Sequence, residues 1–155
     1  RRPADRDRRL RDTTEAALTL AEVRIAGEEG RALVLQHPQL DGDGGWRYTA
    51  TLEFETGRAS VEVWDYGDPR LPEVFRQAAD QWRGFQGAIE FASIEGQLEM
   101  ALTHDGKGTI SCVATVRQPW PPTWRTTIEL SFGAGAHAEQ IARDVEAFFA
   151  RAAPA

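Results

Sequence analysis

Between Trp46 and Glu55 the chain alternates strictly. Trp46, Tyr48, Ala50, Leu52 and Phe54 are interleaved with Arg47, Thr49, Thr51, Glu53 and Glu55. A repeat of two is the mark of a strand buried on one face, because successive side chains leave opposite sides of the pleat. Thr56 and Gly57 reverse the chain, and Ala59, Val61 and Val63 then alternate with Ser60, Glu62 and Trp64, so the two runs read as a hairpin. Upstream, Val23 with Ile25 and the run Ala32 to Gln36 predict two more strands, bounded by turn residues at 27–30 and 38–45.

The period then changes. Asp68 and Pro69 fit an N-cap and first helical residue, and Leu71, Val74, Phe75, Ala78, Trp82 and Phe85 fall on one helical face, predicting an amphipathic helix over 69–84. Gly84 and Gly87 end it. Ile89 to Ile94 and Leu98 to His104 form a hairpin around Glu95 and Gly96, and Asp105 to Gly108 make a tight turn into Thr109 to Arg117. The stretch QPWPPTW, residues 118–124, reads as a rigid loop, since proline cannot donate to a central ladder. Arg125 to Phe132 follow as a strand. Ile141, Val145, Phe148 and Phe149 then mark a second amphipathic helix over 136–151. The expected fold is α+β, a mainly antiparallel sheet of about eight short strands with two amphipathic helices packed on it. A hairpin followed by a helix occurs twice, ending near 85 and 150, which suggests a duplication that the side chains do not repeat.

Charge sharpens this picture. Residues 1–12 carry six arginines against three aspartates and read as a basic, flexible tail, whereas residues 13–155 form the expected single domain and hold 12 basic against 21 acidic residues, a net of −9. Nucleic-acid affinity rests on neutralising phosphates with Lys and Arg, so an acidic body disfavours that partner and suits a basic protein. No apolar run approaches the roughly 20 residues that span a bilayer. The arginine-rich start lacks the apolar core of a signal peptide, and the single Cys112 sits in a strand-like run as a small buried thiol. Together these lead to the expectation of a cytoplasmic protein with no membrane partner.

Candidate chemistry is sparse. Gly133, Gly135 and Ala138 match G-x-G-x-x-A between a strand and a helix, but no parallel strand follows to complete a dinucleotide site. Asp41, Asp43 and Gly44 open like a calcium loop whose closing carboxylate position is Leu52. His37, His104 and His137 are too dispersed for a metal cluster, and no serine lies in a G-x-S-x-G elbow. His104 beside Asp105 is an acid or base pair on paper, yet its place at a strand end and turn favours a structural role. Asp65, Asp68 and Glu73 cluster at a strand-to-helix junction, where helix capping is the simpler reading. No catalytic residue, cofactor or metal is expected. The aromatics say more: Trp64 and Tyr66 take the opposite register from Val61 and Val63, and Trp120 and Trp124 flank the proline run. Exposed, they suit an interface; covered by the helices and the loop, they are core.

Taken together, W-D-Y at 64–66, W-R-G-F-x-G at 82–87, S-I-E-G at 93–96, T-H-D-G at 103–106 and Trp124 before the final helix resemble an uncharacterised, mainly actinobacterial family catalogued as a domain of unknown function. The likeness covers residues 22–150 and is densest from Trp82 to Gly108. Such small acidic proteins are similar to the immunity proteins that accompany polymorphic bacterial toxins. The resemblance brings no catalytic residues with it.

The resulting expectation is a non-enzymatic protein-binding domain that covers a basic toxin surface, with Trp64, Asp65, Tyr66, Arg83, Glu95, His104 and Asp105 as candidate contacts. Two alternatives stay open. One is a small-ligand binder or hydrolase with a pocket between the first helix and the sheet near His104, Asp105 and Asp65. The other is a structural subunit that forms a homodimer through Trp64 or Trp120.

Overall fold

The structure, a computed structural model, describes residues 22–154. The expected basic tail at 1–12 lies outside them. The chain runs β1 (Glu22–Ala26), β2 (Ala32–Leu40), β3 (Gly45–Phe54), β4 (Gly57–Tyr66), α1 (Arg70–Asp80), β5 (Ile89–Ala92), β6 (Leu98–His104), β7 (Thr109–Pro119), β8 (Pro122–Gly133) and α2 (Ala136–Ala150). The strands form two antiparallel meanders, in spatial order β1-β2-β3-β4 and β5-β6-β7-β8, and a two-residue β9 (Ala153–Pro154) adds parallel to β2. The fold is therefore the α+β class expected, with its eight main strands divided between two sheets.

Each sheet is apolar on one face. In the first, Trp46, Tyr48, Ala50 and Leu52 of β3 stand opposite Asp65, Val63, Val61 and Ala59 of β4, and Leu33 and Leu35 of β2 continue the same rows. In the second, Leu98, Met100 and Leu102 of β6 face Val116, Ala114 and Cys112 of β7, with Ile128 and Leu130 of β8 beyond. These faces and the buried stripes of both helices make one contiguous hydrophobic cluster. Phe148 and Phe149 of α2 meet Tyr48 edge-to-face at 6.4 and 5.4 Å, and Phe149 meets Trp46 at 5.4 Å.

The duplication is deeper than a hairpin and a helix. A four-stranded meander followed by a helix occurs twice, and several packing contacts recur when the halves are exchanged. The two helices pack on each other, α1 packs on β5 while α2 packs on β1, and β4 approaches β7 while β8 approaches β3. Each helix thus packs against the first strand of the other half, so neither half closes its core alone.

Three expectations need correction. The first helix starts at Arg70, with Pro69 in the cap position and no side-chain cap from Asp68. It ends at Asp80, because Gln81 takes φ −96 and ψ 37 and leads the chain off the helix axis. Trp82 consequently falls outside the buried stripe and is 51% exposed, while Phe85 still packs against the core. The QPWPPTW stretch is not a loop between strands but the end of a hairpin: β7 and β8 stay paired as far as Pro119 opposite Pro122. A register irregularity after Arg117 and a two-residue turn at Trp120 and Pro121, joined by a cis peptide, place the prolines at the last rung, where no inner ladder donor is lost.

Candidate functional site

The end of the β7–β8 hairpin carries the most unusual surface among the described residues. Leu98 begins β6 opposite Val116, so residues 117–125 project past the end of β6. One backbone bond steadies their base, from the Arg117 N–H to the Gln97 carbonyl at 3.0 Å. The adjoining β5–β6 turn is fixed by Ser93, whose hydroxyl donates to Gln97 Oε1 at 3.0 Å and accepts from the Leu98 N–H at 3.2 Å. Gln97 Nε2 in turn donates to Glu95 at 3.3 Å. This wiring occupies the polar groups of the turn and leaves Ile94 outside it.

Trp120 is 77% exposed, Ile94 58% and Trp124 39%. Trp120 and Trp124 line a groove of about 540 Å³ together with Glu95, Arg117 and Arg125. Proline on both sides of Trp120 keeps it in a turn that leaves it exposed among the described residues. Arg117 is ion-paired with Glu99, whereas Arg125 forms no ion pair among the described residues. The arrangement is an apolar centre with a mixed polar rim, which is how protein interfaces are built.

The seven expected contacts do not converge. Glu95 alone lines the aromatic groove. Trp64 is half-buried beneath the Arg47 guanidinium, 3.7 Å above its ring. Asp65 points the other way, into the core, where its carboxylate accepts the Tyr66 N–H at 3.1 Å and lies 3.9 Å from Arg70. Burial holds its carboxyl above the ordinary range despite that bond and the arginine. Nearby, the buried Tyr48 hydroxyl finds no hydrogen-bond partner among the described residues, and burial raises its pKa well above the ordinary value. Tyr66 is exposed at the end of β4.

Arg83, His104 and Asp105 gather beyond the other end of α1. The Arg83 guanidinium lies 5.0 Å over the exposed Trp82 ring. His104 Nδ1 accepts the Gly106 N–H at 2.8 Å, which assigns the proton to Nε2, and Nε2 donates to the Trp82 carbonyl at 2.9 Å. Asp105 accepts the N–H groups of Thr109 at 3.0 Å and Lys107 at 2.6 Å, which hold its carboxyl below the ordinary range. Both members of the pair are thus bound into the turn. Asp65 sits at the start of α1 and His104 past its end, so an 11-residue helix, roughly 16 Å long, separates them. They share no cleft.

Elsewhere the chemistry is quiet. Cys112 is fully buried and its thiol is pushed up to about 12, the opposite of an activated nucleophile. Among the described residues no three His, Cys, Asp or Glu side chains gather to hold a metal ion, and no helix is long and apolar enough to cross a membrane. What the sequence did not isolate is the aromatic tip as a unit. Its signal was present in the prolines around Trp120; Ile94 is exposed in the β5–β6 turn at the same end of the sheet but does not line the groove.

No curated protein and no solved structure matches the chain at a significant level. Residues 24–152 match a family of unknown function, DUF6228, and the chain belongs to that family.

Proposed function

We propose that this is a non-enzymatic protein-binding domain of immunity type that docks a basic partner protein through the β7–β8 tip. The observation that carries the reading is the joint exposure of Trp120, Trp124 and Ile94 at one end of the second sheet. Burying the exposed part of Trp120 alone would return on the order of 3 kcal/mol, and tryptophan loses little side-chain freedom on docking. The rim of Glu95, Arg117 and Arg125, with Glu99 paired to Arg117, supplies orientation without a net local charge. The net charge of −9 over residues 13–155 steers a basic partner at longer range.

The test is co-expression with each protein encoded beside this one, followed by co-purification at low and high salt. A stoichiometric complex whose association slows as salt rises supports the reading. If every neighbouring product elutes separately at low salt, the immunity-type partner is lost.

A further inference from the structure

The edges of the two sheets are treated differently. Along β8, the turn between β1 and β2 covers the edge, with the Glu28 N–H bonded to the Ser131 carbonyl at 2.9 Å and the Glu29 carboxylate on the Ser131 N–H and hydroxyl. On β5, Arg70 caps the Ala92 carbonyl at 2.5 Å and α1 packs alongside. The β1 edge is only five residues long and, among the described residues, pairs with β2 only. The fourth edge, β4, is ten residues long, and among the described residues its backbone pairs with β3 only. Such an edge is a ready template for another strand.

Its side chains specify which strand. On the outer face of β4, Arg58, Ser60, Glu62 and Trp64 follow one another at every second position. Arg58 and Glu62 are exposed, and neither forms an ion pair among the described residues. When β4 is laid antiparallel against a second β4 about a two-fold axis through Ser60, Arg58 of each copy faces Glu62 of the other. On the inner face Ala59 then meets Val61. Shifting the register by one pairing step in either direction breaks both ion pairs, and a further step sets Glu62 against Glu62 or Arg58 against Arg58. Asp65 is charged and turned inward, which limits the pairing to residues 57–63.

We infer that β4 is a self-complementary interface through which two copies of this chain join their first sheets edge to edge, in the register that centres on Ser60. Each copy's aromatic tip belongs to the other sheet, so the pairing needs no residue of the proposed partner site.

Sedimentation of the full chain at about 100 μM tests this. The expected mass is twice the 17.2 kDa of one chain. Arg58→Glu and Glu62→Arg each place like charges opposite one another and are expected to weaken self-association at least tenfold, and the double exchange R58E/E62R is expected to restore it. Both positions are exposed, so circular dichroism should be unchanged. A second readout is oxidative cross-linking: Ser60→Cys should give a disulfide dimer, whereas Glu62→Cys should not, because its counterpart lies four residues away in the partner strand, beyond disulfide reach. A wild-type chain that remains single at this concentration, a double exchange that fails to recover, or a Glu62→Cys link as fast as that of Ser60→Cys overturns the interface.

Discussion

Arg76 on α1 and Glu146 on α2 form a two-pronged ion pair, with Nε to Oε1 at 2.7 Å and the second nitrogen to Oε2 at 3.2 Å. The same guanidinium reaches Glu139 at 2.7 Å and Asp80 at 3.7 Å, so one side chain of the first half gathers carboxylates from both helices. Because the helices are counterparts in a duplicated arrangement, this contact sits where the two halves join.

Replacing Arg76 by Ala should destabilise the protein by about 1 kcal/mol, the upper range for a pair still open to water. The pH dependence follows from Glu139, whose carboxyl is held below the ordinary range by the hydrogen bond from Arg76. Its stabilising effect is present above the unfolded value, about 4.3, and is lost as pH falls through the lower folded value. Urea midpoints across pH 3 to 7 should therefore show the R76A deficit shrinking toward acid, and a deficit constant over that range would contradict the assignment.

Asp65 has the opposite sign. Its carboxyl is raised, largely by desolvation, so its charged form opposes folding at neutral pH, and that penalty fades as pH falls through the folded value toward the unfolded one. Asp65→Asn keeps the shape and the acceptor for the Tyr66 N–H while removing the charge. Thermal unfolding at pH 7 should show roughly 1 kcal/mol of added stability, with the gain disappearing near pH 3. A loss of stability at neutral pH would mean that Arg70 compensates the carboxylate more than its 3.9 Å distance implies.

The turn that covers β8 depends on a missing side chain. A Cβ on Gly27 would lie 2.6 Å from Leu130 Cβ and 3.2 Å from its Cα, and Leu130 is fully buried and cannot give way. Gly27→Ala should cost about 1–3 kcal/mol by overpacking. Hydrogen exchange should also speed at the Glu28 amide, which bonds to the Ser131 carbonyl. Unchanged stability and exchange would show that the turn is not clamped on β8.

Much of this architecture was legible because local pattern and burial agree. The alternation in β3 and β4 and the three-and-four spacing from Leu71 to Ala78 each report a single buried face, and the structure buries those faces. Prediction failed where a residue's fate depends on a distant element. Trp82 continues the helical spacing but follows the break at Gln81, and Pro119 and Pro122 look like ladder breakers until their rung proves to be the last. The division into two sheets leaves no local mark, since a meander reads the same whichever sheet it joins. The candidate site was less legible: Glu95 was selected with six residues that lie elsewhere, Asp65 among them in the core, and Ile94 looked like a strand residue.

Cys112 offers a simple check on the shared core. Its thiol is buried and pushed up to about 12, so at pH 8 a thiol reagent should label it no faster than the protein unfolds, and fully only in denaturant. Rapid labelling of the native protein would mean that the sheets separate more readily than their packing indicates.

The aromatic tip is tested most directly by a binding isotherm with the co-purifying partner for the wild type, Trp120→Ala and Trp82→Ala. Both tryptophans are exposed, at 77% and 51%, but only Trp120 lies in the groove with Trp124 and Glu95. The expected result is a dissociation constant raised at least tenfold by Trp120→Ala, about 1.4 kcal/mol or more, and less than twofold by Trp82→Ala. Equal affinity of wild type and Trp120→Ala would contradict the proposed docking surface.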